Sequence, residues 1–312
     1  MRKVFKQRIN KEIRLNSPRV SVVIPTYNRA GMIVECLESV FSQKYTDYEV
    51  IVVDDGSTDN TEDILKSYLD RITYIRHENK GNAAARNSGL AVARGELIAF
   101  LDSDDLWLAD KLRRDVDYLD RHPDVDMVCA NGTFFGSPKF AGKKVVPDKR
   151  AVPLARDGVT LKAIFTRSSL RPSAMTLRRH IIEETKGFDP DFAACVDLDF
   201  AFRVLMKYKV VFIDEPFFKM RKHDDHVSGD SERRTLFNIK AIEKLLREYP
   251  EARKLIGEKN IKRRLAYRYY RLGKITQKKG RKQEALSAYK RSLSYRPFNT
   301  SCILKYIGCL FS

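Results

Sequence analysis

Asp102-Ser103-Asp104 sets two carboxylates two residues apart, directly after the apolar run Leu97-Ile-Ala-Phe-Leu101. At the end of a buried strand such a pair can share a hard divalent cation, which keeps waters and takes phosphate oxygens as its other ligands. A diphosphate ligand follows from that chemistry. Three more polar groups sit after short apolar runs: Thr26, Tyr27 and Asn28 after residues 20–24 and Pro25, Asp54 and Asp55 after 49–53, and Arg76 and Lys80 after 72–75. Each turn alone reads equally as an ordinary helix cap; four in series point to one cleft. Neither G-x-x-x-x-G-K-[ST] nor G-x-G-x-x-G is present, which disfavours a P-loop NTPase and a dinucleotide-binding enzyme.

These residues need a scaffold that brings the four runs side by side. Strand signals at 20–24, 49–53, 72–75 and 96–101 alternate with apolar residues at helical spacing in 32–41, 62–69 and 82–93. That rhythm predicts an α/β fold, a doubly wound and mostly parallel sheet with helices on both faces. Ligands of such sheets lie outside the carboxyl ends of the strands, where all four polar groups fall. Further along, 210–213 and 217–220 read as a strand pair. Residues 132–167, with Gly, Pro and Lys clusters, read as a long loop or flap. Trp107, the sole tryptophan, serves packing or substrate stacking.

Val20-Ser-Val-Val-Ile-Pro-Thr-Tyr-Asn28, Val52-Val-Asp-Asp-Gly-Ser-Thr-Asp59, Asn79-Lys-Gly-Asn-Ala-Ala-Ala-Arg-Asn87 and Phe100-Leu-Asp-Ser-Asp-Asp105 together resemble the family 2 glycosyltransferases, inverting enzymes of the GT-A fold. The resemblance implies a nucleotide-diphosphate sugar donor, with a UDP-sugar favoured. Its base and ribose would be held around Pro25, Thr26 and Tyr27, by Asp55 or its neighbour Asp54, and near Arg76, Lys80 and Ser103. It implies that Asp102 and Asp104 are the metal-site pair, with Asp104 the better candidate for the Mg2+ or Mn2+ ligand and Asp102 for the ribose or a metal-bound water. The family's catalytic helix start matches Ala194-Cys-Val-Asp-Leu-Asp-Phe-Ala-Phe-Arg203, which sets Asp197 at the catalytic base and puts Val196 where an acidic residue is usual. Asp199 is the second candidate, otherwise an exposed helical residue. Met220-Arg-Lys-His223 resembles the family's R-x-H, which offers His223 as a third metal ligand or a leaving-group contact; a solvated basic loop is the plainer reading.

The back third has a different character. The 312 residues carry a net charge of +18, but 231–312 hold 22 Lys and Arg against 6 Asp and Glu, leaving 37 against 35 for residues 1–230. A neutral front and a cationic back divide chemistry from attraction to an anionic partner. Strand signals end after about residue 230. Leu272, Gly273, Gly280, Ala285, Tyr289 and Pro297 fall at the spacing of a tetratricopeptide repeat. The expected organisation is a basic extension at 1–17, a catalytic domain at 18–230 (donor half 18–130, acceptor half 131–230) and a basic helical module at 231–312 that docks on the catalytic domain or pairs with another copy. Lys262-Arg-Arg264, Lys278-Lys279 and Arg281-Lys282, interleaved with tyrosines, suit an anionic bilayer, given that enzymes of the resembling family act on lipid-linked acceptors. Nucleic acid gives the same charge signal and is disfavoured.

Five scattered cysteines without a C-x-x-C pair argue for a reducing compartment. No secretory signal is read at the N-terminus, and no stretch reaches the roughly 18 apolar residues of a membrane span. The sequence therefore predicts a cytoplasmic, metal-dependent, inverting glycosyltransferase, peripheral at most on the inner membrane face, acting on a glycan or lipid-linked acceptor in cell-surface polysaccharide or glycolipid synthesis. A nucleotidyltransferase and a catalytically degenerate scaffold are the competing readings.

Overall fold

The computed structural model describes residues 17–167, 170–222 and 231–311. The chain begins β1 (Val20–Thr26), α1 (Ile33–Phe41), β2 (Tyr48–Asp54), α2 (Thr61–Lys66), β3 (Thr73–Arg76), α3 (Asn82–Val92) and β4 (Leu97–Phe100). β5 (Leu106–Trp107), α4 (Lys111–Arg121) and β6 (Met127–Phe135) follow. Then come α5 (Asp148–Asp157), α6 (Leu161–Arg167), β7 (Met175–Arg178), α7 (Arg179–Thr185), α8 (Val196–Leu205) and β8 (Val210–Arg221). The helices α9 (Ser231–Glu248), α10 (Ala252–Ile256), α11 (Glu258–Lys278), α12 (Lys282–Tyr295) and α13 (Thr300–Phe311) complete it.

One sheet runs in the order β3-β2-β1-β4-β7-β6-β8-β5. It is parallel from β3 to β4, as the alternation predicts, and mixed beyond: β7 is antiparallel to both neighbours, β8 is parallel to β6, and β5 is antiparallel to β8. Both faces are covered, so its inner strands are apolar at nearly every position. Val22 and Ile24 of β1, Val50 and Val52 of β2 and Leu97 and Ala99 of β4 pack with α1 and α4. The intervening Val23, Ile51, Val53, Ile98 and Phe100 join the opposite core with α3 and α8. Burying each such side chain contributes roughly 1.5–3 kcal/mol.

Two expectations change, and one alternative is decided. Residues 132–167 are not a loop: α5 and α6 put Ala151, Leu154, Leu161, Ile164 and Phe165 into the larger core. Their helical spacing lies between Gly- and Lys-rich turns that dominate the composition. The anticipated pair at 210–213 and 217–220 is one strand. Asp214-Glu-Pro216 resembles a turn, but Pro216 pairs with Asn131 where the β6 register shifts, a position at which a missing N–H is tolerated. Trp107 is a packing residue, 3% exposed, with its indole N–H donating to the Ser173 carbonyl at 2.8 Å.

The basic helices are built onto this body. Ala241, Ile242, Leu245 and Leu246 of α9, Ala252 and Ile256 of α10, and Ile261 and Leu265 of α11 are buried in the same core as α8. Lys244 bonds Asp189 at 2.7 Å and Asp199 at 2.9 Å, tying α9 to α8. α11 and α12 form a hairpin whose close approach depends on Gly273: a Cβ there would lie 2.5 Å from the buried Tyr289 ring. Ala285 and Tyr289 of α12 and Cys302 and Cys309 of α13 make a small third core. Among the described residues no helix is long and apolar enough to cross a membrane.

Candidate active site

The parallel register places the ends of β1, β2, β3 and β4 in adjacent positions, with Thr26 opposite Asp54 and Asp54 opposite Arg76. Backbone bonds lace these ends together: Asp55 N–H donates to the Thr26 carbonyl at 2.9 Å, and His77 N–H to the Asp54 carbonyl at 3.2 Å. Pro25 and Thr26 are the last residues of β1, and Tyr27 is 41% exposed just beyond them. Thr26 Oγ1 is buried with no hydrogen-bond partner among the described residues.

The two β2 carboxylates hold loops. Asp54 accepts Ser57 N–H at 2.8 Å and Tyr74 O–H at 3.1 Å. Asp55 accepts the N–H groups of Lys80 and Gly81 at 2.8 and 2.9 Å, folding the segment that opens α3 back onto β2. Gly56, at φ +77°, makes the turn between them; a Cβ there would meet Asn79 N at 2.8 Å. Arg76 donates to the Ser57 carbonyl at 3.1 Å and pairs with Glu62 at 3.3 Å, while Lys80 is exposed.

Asp102, Ser103, Asp104 and Asp105 form the turn after β4. Asp102 accepts a charge-assisted bond from Arg86 of α3, a guanidinium only 2% exposed. Asp104 lies 3.9 Å from Arg29 Nη2, which links this turn to the end of β1. Asp105 accepts Ser173 O–H at 2.7 Å and Arg221 N–H at 3.0 Å. Burial raises the pKa of Asp102 and Asp105; Arg86 opposes the rise at Asp102, while Asp104 adds to it at both. Crowded carboxylates of this kind favour a cation, and the donor set is all oxygen, as Mg2+ and Mn2+ require. No group of three or more acidic, His or Cys side chains converges among the described residues. That suits a cation held by one or two carboxylates plus substrate phosphates. His223 lies outside the described residues.

Asp197 arrives from the other side. Cys195 takes the left-handed conformation, φ +57°, ending the preceding segment and starting α8 at Val196, so that Asp197 falls in the first helical turn where the dipole favours a carboxylate. Asp197 is half-buried and close enough to raise the Asp102 pKa. Asp102 and Asp197 line one cavity of about 970 Å³, together with Arg86. Asp199 is not the exposed residue expected as its plain reading: it is 3% exposed and bonded to Arg203 and Lys244. At i and i+2 on one helix the two aspartates point apart, one to the cavity and one to the core.

The family model for glycosyl transferase family 2 matches residues 21–182. An uncharacterized glycosyltransferase of Rickettsia typhi is 32% identical over 210 residues, covering 67% of this chain and 65% of that protein. The chain belongs to glycosyl transferase family 2. It spans 36% and 37% of the length of relatives from Rickettsia felis and Rickettsia conorii. The GT-A type fold is shared with solved structures. Staphylococcus aureus TarS 1-349 in complex with UDP-GlcNAc has a TM-score of 0.68 at 20% identity, covering 93% of this chain and 89% of that one. The Pyrobaculum calidifontis mannosyltransferase PcManGT in complex with GDP-Man and Mn2+ has a TM-score of 0.62 at 22% identity, covering 95% and 80%.

Sequence reasoning on the family 2 motifs quoted Arg86, Asp105 and Arg221 without giving them roles. Arg86 was legible as a charge inside the small, mostly apolar helix α3. Arg221, whose Nε donates to the Asp104 carbonyl at 3.1 Å and whose Nη2 pairs with Glu35 at 2.8 Å, ends β8 and fixes the acidic turn from across the sheet. Ser173, which also accepts Asp102 N–H at 3.1 Å, lies in residues 172–179, a stretch that resembles the family in sequence without showing what this serine holds.

Proposed function

We propose that this protein transfers a sugar, with inversion, from a nucleotide-diphosphate donor to an acceptor hydroxyl, with Asp197 as the base. The observation that carries this reading is Asp102 and Asp197 on the walls of one cavity, one beside the acidic turn after β4 and the other at a helix start. The donor would lie along the ends of β1, β2 and β4, with its base and ribose near Pro25, Thr26, Tyr27, Asp55 and Ser103. A UDP-sugar is favoured. Asp104 and Asp102 would hold Mg2+ or Mn2+, which when bound offsets the charge of the leaving diphosphate. Asp197 accepts the proton of the acceptor hydroxyl as that oxygen attacks the anomeric carbon; the bond to the diphosphate breaks in the same displacement. One carboxylate suffices, because no covalent intermediate has to be resolved. The cavity walls would orient both substrates. The acceptor would be a glycan or a lipid-linked acceptor in cell-surface polysaccharide or glycolipid synthesis.

Thermal stabilisation by UDP, GDP, CMP and dTDP, with Mn2+, Mg2+ or chelator, tests the donor half, since a ligand bound only to the folded state raises the melting temperature. A metal-dependent shift with one nucleotide, lost in Asp104→Ala, is expected. Absence of any shift in folded protein would overturn the reading in favour of a degenerate scaffold, and pyrophosphate release from a nucleoside triphosphate would favour a nucleotidyltransferase.

A further inference from the structure

The cavity beside Asp197 extends away from the acidic turn into the basic helices. Its charged lining comprises ten arginines, three aspartates and no lysine. The aspartates, Asp102, Asp105 and Asp197, gather at the donor end. The far wall is Arg150 of α5, Arg234 of α9, and Arg263, Arg264, Arg268 and Arg271 of α11. Arg264, Arg268 and Arg271 follow the i, i+4, i+7 spacing of one helical face. Arg264, Arg268 and Arg271 are half-buried, with Arg150, Arg234 and Arg263 exposed at the rim, whereas Lys259, Lys262, Lys274 and Lys278 of α11 are exposed and do not line the cavity.

Arginine segregated into a cavity is informative because its planar fork binds phosphate and carboxylate oxygens in pairs and is less strongly hydrated than an ammonium. Among the described residues none of Arg234, Arg263, Arg264, Arg268 and Arg271 has an ion pair with a carboxylate. Among the described residues Arg264 donates to neutral acceptors, the Ile164 carbonyl at 3.3 Å and Asn238 Oδ1 at 3.1 Å, and lies over the Phe165 and Phe202 rings at 4.9 and 5.9 Å. The Nε atoms of Arg264 and Arg268 are buried without a hydrogen-bond partner. Burial and the neighbouring guanidinium lower the pKa of each. Cys195, two residues from Asp197, feels both Asp197 and the cations Arg268 and Arg234, so this wall begins where the base ends. At about 970 Å³ the space is at the upper end of small-molecule sites.

Resting on the sugar-transfer reading above, we propose that the acceptor is an anionic glycan, its phosphodiester or carboxylate groups held by the arginines of α9 and α11 while one of its hydroxyls meets Asp197. A neutral glycan would leave the half-buried Arg264, Arg268 and Arg271 without an anionic partner. An anionic bilayer would meet the exposed lysines instead of these three arginines.

Short-chain inorganic polyphosphate is the probe, titrated into the full chain beside neutral dextran, anionic phospholipid vesicles and a single-stranded oligonucleotide. Polyphosphate is expected to bind, more weakly as salt rises, and to lose about tenfold or more in affinity in Arg268→Gln/Arg271→Gln. The exposed Arg263→Glu gives a second variant in case that pair affects folding, and is expected to weaken binding in the same direction. UDP affinity should not change in either. Binding of dextran as tight as that of polyphosphate, unchanged polyphosphate binding in both variants, or a parallel loss of UDP affinity would each overturn the proposal, as would vesicle or oligonucleotide binding that these variants weaken while polyphosphate does not bind. Polyphosphate binding that depends on these arginines in a protein that binds no nucleotide would support the anion site and overturn the transfer reading, so the two fail separately.

Discussion

The acidic turn after β4 and the arginine wall of α11 face the same cavity, yet they treat charge in opposite ways. On the strand ends the chain satisfies its own ions: Asp54 and Asp55 with backbone N–H groups, Asp102 with Arg86, Asp105 with Ser173 and Arg221. Along α11 the guanidinium groups of Arg264 and Arg268 crowd one another and have no carboxylate partner among the described residues. Internal pairing makes a rigid, preorganised edge that positions a ligand without reorganising. Unpaired cations in a half-buried wall reduce stability and gain it back when an anion arrives. The difference teaches that net charge alone does not locate a binding surface; what matters is which charges the fold leaves uncompensated.

The largest test lies at the border of the two regions. Asp197→Asn is expected to lower sugar transfer by about 10²–10⁴-fold, the range for a lost general base, while nucleotide and polyphosphate binding persist. Steady-state transfer assays beside calorimetric binding would show it, and loss of both kinds of binding would mean that Asp197 holds structure. Next, removing one arginine from each region should give opposite signs. Arg86→Met leaves Asp102 without its cation and should destabilise the fold by about 2–3 kcal/mol in urea melts at neutral pH, at the low end for a broken buried pair because Asp102 opens onto the cavity. Gly273→Ala drives a Cβ against the Tyr289 ring and should cost about 1–2 kcal/mol, read by the same melts. Its effect belongs to the helical hairpin, so nucleotide affinity should stay constant. The smallest effect is the most diagnostic. Arg268→Leu is expected to leave stability unchanged or raise it by about 0.5–1 kcal/mol, because it removes a desolvated like charge. A destabilisation as large as that of Arg86→Met would erase the contrast between the two regions.

The strand and helix alternation of residues 20–101 was readable because period-two and period-3.6 patterns there coincide with tertiary burial on both faces. The donor motifs were readable for a related reason: β1, β2 and β4 are adjacent and parallel, so residues at their ends in sequence are neighbours in space. The acceptor half was harder. α5 and α6 were hidden by turn-rich flanks, and Pro216 concealed the continuity of β8, since a proline signals a break unless a bulge receives it. Asp199 and Asp197 differ by two positions and by everything in environment, which only packing against α9 reveals.

By itself, then, the sequence determined the element order of residues 20–101, the family and the set of carboxylates able to do the chemistry, because local pattern and short-range spacing encode them. It also determined that the cationic charge lies in the last third. Tertiary structure alone decided where that charge points. A helix offers several faces to any charge run, and only the packing of α9 and α11 onto the core of α8 turned Arg264, Arg268 and Arg271 toward the cavity of Asp197 while leaving Lys259, Lys262, Lys274 and Lys278 in solvent.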